Sequence, residues 1–222
     1  MLLEHYWKEL KEYDNKAEYD CFPFIYSRGK YQSYNSAPEN FIMVIEFIRR
    51  KRPRYVLECG TFEARGTEYI ARTMRLYCPR PCTLITIDVE GCIDHMGIDT
   101  VTFMKDDDYA DSIEIRKARL SLLKRDPFVN VIYREGLTQH LIPKILREFP
   151  IEFIYEDASH LPHVLREDWK HINETARKNC VVCFDDINGN EFVKWFKENA
   201  KEWDMYYTGR ERGQLWVERR ST

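Results

Sequence analysis

Short apolar runs alternate with helical patterns from residue 54 onward, and this alternation constrains the fold more than any other feature of the chain. Five runs have the length and residue content of buried strands: 55–59, 84–88, 129–133, 151–155 and 180–184. Apolar residues recur at helical spacing in five intervening or following segments: 67–76, 109–124, 138–149, 162–178 and 191–199. Strands separated by helices form a parallel sheet that is covered on both faces. Right-handed crossovers then predict a doubly wound α/β domain.

The C-terminal end departs from this alternation. Two strand patterns, 203–208 and 214–218, are separated only by residues 209–213, which leave no room for a helix. Strands joined so closely pair antiparallel. The sequence therefore predicts a mostly parallel seven-stranded sheet that ends in a C-terminal antiparallel hairpin.

The first 53 residues do not follow the strand–helix alternation. Apolar residues at helical spacing predict one helix over about 2–13 and a second over 38–51, with a Tyr-rich loop between them. We therefore predict an N-terminal helical part over 1–53 and the α/β domain over 54–222.

Charge and apolar content exclude several classes of protein. The net charge is −3, and the densest basic stretch, 49–54, lies at a predicted helix end where cations are favourable, so we expect no nucleic-acid partner. No apolar run reaches the length of a membrane span and the charged start is not a signal peptide, so we expect a cytoplasmic protein without a membrane partner. The C-x3-C pair of Cys78 and Cys82 leaves a surface thiol pair or a zinc knuckle open.

Ligands of doubly wound sheets bind beyond the carboxyl ends of the strands, so the residues at those ends form the candidate site. After the first strand the chain reads Glu-Cys-Gly-Thr-Phe-Glu-Ala-Arg-Gly-Thr over 58–67. Gly60 permits a tight turn and a close ligand, and Gly66 and Thr67 open the next helix. The spacing is not G-x-G-x-x-G, so no pyrophosphate cradle is predicted, and an ordinary strand-to-helix turn is the alternative.

An acid follows the second strand directly. Asp88 stands where a carboxylate can accept both ribose hydroxyls of a nucleoside, and a helix-cap or loop acid is the alternative. The third strand is followed by Gly136 and Leu137. These residues are therefore candidates for the same edge of the sheet as Gly60.

The fourth and fifth strands both end in acids. Asp157 follows the fourth, with His160 three residues later, and Asp185 and Asp186 follow the fifth. Adjacent parallel strands lie about 5 Å apart, so the three carboxylates are predicted to converge. They would repel one another without a cation, and hard oxygen ligands favour Mg²⁺. The alternative is that Asp185 or Asp186 merely caps the following helix.

Together, these stretches resemble the class I S-adenosylmethionine-dependent methyltransferases, whose fold is Rossmann-like. Residues 58–67 resemble their glycine-rich first motif, with Ala64 where the family usually has a second glycine. Residues 157–160 resemble the D-G-D-H signature of the macrolide-sugar O-methyltransferase and cephalosporin hydroxylase-like group, with Ala158 for the glycine and Ser159 for the second acid.

The resemblance implies that S-adenosylmethionine is the cofactor. Its expected contacts at the strand tips are Glu58, Gly60, Thr61, Gly66, Thr67, Asp88, Gly136, Leu137 and Asp157. The catechol-type and macrolide-sugar O-methyltransferases hold their metal at positions matched by three residues of this chain: Asp157, Asp185 and Asp186. The implied cation is Mg²⁺ or another divalent ion.

The implied reaction is methylation of a hydroxyl of a small molecule or sugar. The family position of the general base is occupied by His160, beside the catalytic Asp157, and His163 is its competitor. The ordinary pKa of imidazole, near 6.5, suits proton abstraction at neutral pH. By analogy residues 1–53 would form a lid over the acceptor, with contacts from the Tyr-rich loop at Tyr26, Tyr31 and Tyr34.

Three other functions fit the same patterns: an NAD-dependent oxidoreductase, a hydroxylase-like relative that transfers no methyl group, and a non-catalytic cofactor-binding module. The missing G-x-G-x-x-G argues against the oxidoreductase. The departures at Ala64, Ala158 and Ser159 give the binding module some support. The sequence identifies neither the acceptor nor the oligomeric state, and a homo-oligomer is compatible with it.

Overall fold

The computed structural model describes residues 38–89, 106–187, 190–208 and 213–219. Within these ranges the chain forms helices and strands in the following order: α1 (Pro38–Lys51), β1 (Tyr55–Cys59), α2 (Arg65–Tyr77), β2 (Cys82–Asp88), α3 (Asp106–Leu123), β3 (Val129–Glu135), α4 (Thr138–Glu148), β4 (Phe153–Glu156), α5 (Pro162–Thr175), β5 (Val181–Ile187), α6 (Asn190–Asn199), β6 (Trp203–Tyr207) and β7 (Gly213–Arg219).

The seven strands form one sheet in the order β3-β2-β1-β4-β5-β7-β6. The first five strands of this order are parallel, and β7 lies antiparallel to both β5 and β6. The predicted fold, a mostly parallel seven-stranded sheet with a C-terminal antiparallel hairpin, is confirmed. The strand order reverses between β1 and β4, so the crevice that accepts ligands in such sheets lies at the carboxyl ends of these two strands.

Helices cover both faces of the sheet, as the near-continuous apolar strands require. On one face, Phe41 and Ile45 of α1 pack in the same cluster as Val56, Phe153 and Trp216 of the strands. On the other face, helices α4, α5 and α6 bury their apolar sides against the sheet through Ile145, Trp169 and Phe196, among others. Helix α1, which was predicted as part of the N-terminal segment, thus packs directly on one face of the sheet.

Several predictions for the N-terminal part lie outside the described residues. They comprise the first helix, the Tyr-rich loop with Tyr26, Tyr31 and Tyr34, and the lid that residues 1–37 would contribute. The domain boundary after residue 53 also stays a prediction.

The structure differs from the sequence predictions at some element boundaries and in the burial of two cysteines. Helix α3 begins at Asp106, three residues earlier than predicted, because aspartates are favourable in the first turn of a helix. Strand β5 continues to Ile187 through an irregularity in its pairing with β7. Cys78 and Cys82 are buried, so the expectation of a surface thiol pair is wrong. Among the described helices, none is both long and apolar enough to cross a membrane.

Candidate functional site

The loop after β1 is a tight turn that touches the loop after β4. Gly60 has φ 94°, and its N–H donates to the carbonyl oxygen of Ile87 at 2.9 Å. A Cβ atom at this position would lie 2.5 Å from the carbonyl oxygen of Asp157, so only glycine fits both the backbone angle and the space. Ala64, where the resembling family has a glycine, also adopts the left-handed conformation, with φ 59° and ψ 26°. The two loops therefore meet where the strand order reverses.

Glu58 is buried at the end of β1 and is held by two hydroxyl groups. Its Oε2 accepts hydrogen bonds from Thr67 Oγ1 at 2.5 Å and from Thr86 Oγ1 at 2.7 Å. Burial raises the pKa of Glu58 to about 7, against the lowering effect of the two hydroxyls. A Cβ atom at Gly66 would lie 2.7 Å from Glu58 Oε1, so the glycine makes room for the carboxylate.

Thr61 and Thr67 were predicted to contact the cofactor, but their hydroxyls form hydrogen bonds within the protein. Thr67 donates to Glu58, and Thr61 Oγ1 lies 2.6 Å from Thr86 Oγ1. Thr61 and Thr67 are both buried. They position the Gly60 loop and Glu58, and their side chains are not displayed to a ligand in this state.

Asp88 lies at the tip of β2 and forms hydrogen bonds with the loop after β1, with helix α3 and with the turn after β3. Its Oδ2 accepts from the N–H of Phe62 at 2.5 Å and from Arg116 Nη1 of α3 at 3.0 Å. Its Oδ1 accepts from the N–H of Val89 at 2.7 Å, and its carbonyl oxygen accepts from the N–H of Gly136 at 2.8 Å. The tips of β1, β2 and β3 are thus fixed relative to one another.

The turn after β3 completes this edge of the sheet. Gly136 has φ 144°, in the region that favours glycine, and the atoms nearest to a Cβ at this position belong to the side chain of Leu141. Leu137 follows in extended conformation and precedes the first turn of α4. The predicted nucleoside contacts Gly60, Asp88, Gly136 and Leu137 accordingly lie on the tips of three adjacent strands. We call this set of strand tips the β1–β3 half of the site.

Two carboxylates and an imidazole come together at the tips of β4 and β5. Asp157, His160 and Asp186 each offer a ligand atom within 4.8 Å of the other two. Two donors on one divalent ion, each at about 2.1 Å, are at most about 4.2 Å apart, so a small inward movement would close the group on a cation. Asp186 is buried and His160 is exposed. We call these three residues the β4–β5 half of the site. The competing histidine, His163, is exposed on the first turn of α5 and does not belong to this group.

A β-bulge in β5 gives the side chains of the neighbouring residues Asp185 and Asp186 different surroundings. The register with β7 shifts between Phe184 and Ile187, and Asp186 lies in this bulge with φ 49°. Alternation along β5 places Asp185 on the same face as Cys183, beneath α1. The bulge re-aims Asp186 toward the strand tip, which is a usual consequence of such insertions.

Asp185 does not join the group that Asp157 and Asp186 form. It is fully buried, its Oδ2 accepts from Tyr155 OH at 2.5 Å, and its Oδ1 accepts from Gln214 Nε2 at 2.9 Å. Gln214 in turn accepts from the indole N–H of Trp216 at 2.9 Å. The structure therefore groups two of the predicted metal ligands, Asp157 and Asp186, with His160, while the third, Asp185, lies buried and bonded to Tyr155 and Gln214.

Two further acids are buried beneath the site. Glu156 accepts from the N–H of Ala158 at 3.3 Å, and Asp168 of α5 accepts from Thr138 Oγ1 at 2.9 Å. Burial raises the pKa of Glu156 well above its usual range and that of Asp168 to about 7. One oxygen of each carboxylate has no hydrogen-bond partner among the described residues. Burial thus favours the neutral form of Glu156 and shifts Asp168 toward its neutral form, which reduces the negative charge around Asp157.

Sequence reasoning missed the side chains that support these carboxylates. Gln214 gave the clearest unused signal, because an amide in an otherwise apolar strand needs a buried partner. Tyr155 gave a weaker one, as a hydroxyl two residues before Asp157 on a buried strand. Arg116 gave none, since its partner depends on how α3 lies across the sheet.

No family model and no curated protein matches this chain in sequence. Solved structures do match its fold. An SAH-bound methyltransferase of Podospora anserina superposes with a TM-score of 0.62 at 11% identity, over 91% of this chain and 87% of that one. The O-methyltransferase TomG of Streptomyces achromogenes, in complex with SAM, gives 0.59 at 14% identity, over 93% and 91%. A methyltransferase of Geobacter sulfurreducens gives 0.58 at 13% identity, over 82% and 79%. The chain therefore has the Rossmann-like fold of class I methyltransferases, as the sequence predicted.

Proposed function

We propose that this protein is an S-adenosylmethionine-dependent O-methyltransferase that uses a divalent cation at Asp157 and Asp186. One observation carries the proposal. The Gly60 loop, where the nucleoside would lie, contacts the backbone of Asp157, which belongs to the group that could hold the cation. The two halves of the site are therefore adjacent, as transfer between a cofactor and a cation-held acceptor requires.

The β1–β3 half fits the cofactor. S-adenosylmethionine, when bound, supplies a methyl group on a positively charged sulfur. Gly60 would let the cofactor approach the backbone, Asp88 would accept from its ribose, and Gly136 and Leu137 would lie beside its adenine. Glu58 is held at the base of the loop by Thr67 and Thr86, where a cationic ligand would favour its ionised form.

The β4–β5 half fits a divalent cation such as Mg²⁺. A bound cation, when present, supplies positive charge that makes an adjacent hydroxyl easier to deprotonate. Asp157 and Asp186 provide oxygen ligands from neighbouring strands. Asp185 bonds to Gln214 and to Tyr155, whose hydroxyl also lies 3.4 Å from Asp157 Oδ2. The exposed imidazole of His160 accepts the proton of the acceptor hydroxyl. Most of the rate gain then comes from holding cofactor and acceptor in line.

We further propose that the acceptor is a small molecule or sugar. A similar structure, TomG, is involved in tomaymycin synthesis, which supports a small-molecule acceptor. The net charge of −3 supports an acceptor other than nucleic acid. A cytoplasmic location, a homo-oligomeric state and a lid formed by residues 1–53 remain predictions.

Calorimetry and methyl transfer test the proposal. We expect the full chain to bind S-adenosylhomocysteine and not NAD⁺, and to transfer a labelled methyl group to members of a hydroxyl-bearing panel only when a divalent cation is present. Binding of NAD⁺ in place of S-adenosylhomocysteine would support an oxidoreductase instead. Transfer that persists in EDTA would remove the cation from the proposal and leave the cofactor.

A further inference from the structure

We propose that Arg116 binds the ribose of S-adenosylmethionine together with Asp88, so that each side chain takes one of the two ribose hydroxyls. This inference rests on the proposed function, because it requires the nucleoside to lie at the tip of β2. It concerns the buried guanidinium group of Arg116, to which the family resemblance assigns no role.

The carboxylate of Asp88 has little capacity left for a diol. A carboxylate offers about four lone-pair sites. Oδ2 accepts from the N–H of Phe62 and from Arg116 Nη1, and Oδ1 accepts from the N–H of Val89. One site on Oδ1 remains. Asp88 can therefore accept a hydrogen bond from one ribose hydroxyl, but not from both unless an existing contact breaks.

Arg116 has the donor that the second hydroxyl needs. Arg116 is 4% exposed, its Nη1 donates to Asp88, and its guanidinium carbon lies 5.6 Å from the ring centre of Tyr133. Its Nη2 is buried and has no hydrogen-bond partner among the described residues. A buried donor without an acceptor carries a desolvation penalty, and a ligand oxygen beside Asp88 would remove it.

A cis-diol matches the capacities of this pair. A hydroxyl can donate one hydrogen bond and accept others. One ribose hydroxyl donates to Asp88 Oδ1 and the other accepts from Arg116 Nη2. The side chain of Asp88 is 18% exposed, so the carboxylate remains accessible to the sugar. All three existing contacts of the carboxylate are kept, which leaves the tips of β1 and β2 undisturbed.

The test measures calorimetric binding of S-adenosylhomocysteine and its 2′-deoxy and 3′-deoxy analogues to four proteins: wild type, Arg116→Met, Arg116→Lys and Arg119→Met. Arg119 is a matched control, because it lies on the same helix but pairs with Glu63 and Glu68. We expect Arg116→Met to weaken S-adenosylhomocysteine binding about 10- to 100-fold, the size of one charge-assisted hydrogen bond. Arg119→Met should lose much less affinity, because Arg119 contacts Glu63 and Glu68 and leaves Asp88 untouched, and any loss should be equal for all three ligands.

The analogues separate a contact from a structural role. One deoxy analogue should bind wild type more weakly than S-adenosylhomocysteine but lose no further affinity in Arg116→Met, because the variant lacks the same contact. Equal losses for all three ligands would overturn the inference and show a structural role. Unchanged affinity would also overturn it, and a higher affinity would show that Arg116 competes with the ribose for Asp88.

Two other outcomes, misfolding of Arg116→Met and absence of S-adenosylhomocysteine binding, can also be interpreted. If Arg116→Met does not fold, the same comparison is made with Arg116→Lys, which keeps the charge but loses the planar fork. If wild type does not bind S-adenosylhomocysteine at all, the proposed function fails, and that result is distinct from a failure of the Arg116 inference.

Discussion

The two halves of the candidate site are fixed by different kinds of interaction. In the β1–β3 half, backbone geometry sets the shape: Gly60 and Gly136 have positive φ, and the N–H groups of Phe62 and Val89 hold Asp88. In the β4–β5 half, side-chain carboxylates set it. We therefore expect substitutions in the first half to act mainly on stability and cofactor binding, and those in the second mainly on turnover.

The largest effect is expected in the β4–β5 half. Replacing both proposed ligands, Asp157→Asn with Asp186→Asn, should lower turnover roughly 10⁴-fold or more, because charge stabilisation by a cation is worth several kcal/mol and about 1.4 kcal/mol is tenfold. Asn tolerates the positive φ of Asp186, so the fold should persist. Turnover with a divalent cation and calorimetric cation binding are the measurements.

Asp185→Asn is the matched control for this double variant. Because Asp185 bonds to Tyr155 and Gln214, we expect its loss to cost about 1–3 kcal/mol of unfolding free energy and to leave cation affinity unchanged. Cation binding that weakens as much as in the double variant would instead restore Asp185 to the ligand set.

His160→Gln tests whether the exposed imidazole is a base. If it takes the proton of the acceptor, turnover should fall roughly 10²- to 10⁴-fold while the affinity for the cation stays the same. Its position within 4.8 Å of Asp157 and Asp186 allows a second role as a ligand, and a parallel loss of cation affinity would show that role. His163→Gln, on the first turn of α5, is the control and should retain turnover.

Stability should respond most to substitutions in the β1–β3 half. Gly60→Ala forces a side chain to φ 94° and within 2.5 Å of the Asp157 carbonyl, so we expect a loss of about 3 kcal/mol or more in urea denaturation. Gly136→Ala, where the neighbour is the flexible Leu141 side chain, should lose less. Equal losses would mean that backbone angle alone, and not contact between the two loops, requires glycine at Gly60.

The sequence predicted which residues lie at strand tips better than which side chains meet there. Apolar periodicity determines the strands, and the parallel order then brings Gly60, Asp88 and Asp157 to one edge. The choice between Asp185 and Asp186 depends on a bulge that arises from pairing with β7, and pairing geometry leaves no mark in local sequence. The contact of Arg116 with Asp88 depends likewise on long-range packing of α3.

Glu58 makes stability depend on pH in a direction opposite to that of a salt-bridged acid. Burial raises its folded pKa to about 7, so between about pH 4.5 and 7 the unfolded chain has lost a proton that the folded chain retains. The contribution of Glu58 to stability is therefore fully present at low pH and is lost as pH rises through this window, by on the order of 3 kcal/mol. In Glu58→Gln, the difference in unfolding free energy between pH 5 and 8 should shrink by that amount. An unchanged difference would mean that Glu58 is ionised in the folded protein.

The smallest effect is expected at Ala64, where this chain departs from the glycine of the resembling family. Replacing Ala64 by glycine relieves about 1 kcal/mol of left-handed strain but loses roughly as much through chain entropy and the buried methyl group. Urea denaturation should therefore show a change within about 0.5 kcal/mol, whereas Ala64→Val should be clearly destabilised because β-branched residues resist positive φ. A large gain from glycine would show that the loop stores strain in the β1–β3 half. An unchanged unfolding free energy in Ala64→Gly would explain why alanine is tolerated here: it adopts the left-handed conformation of a glycine at little net cost.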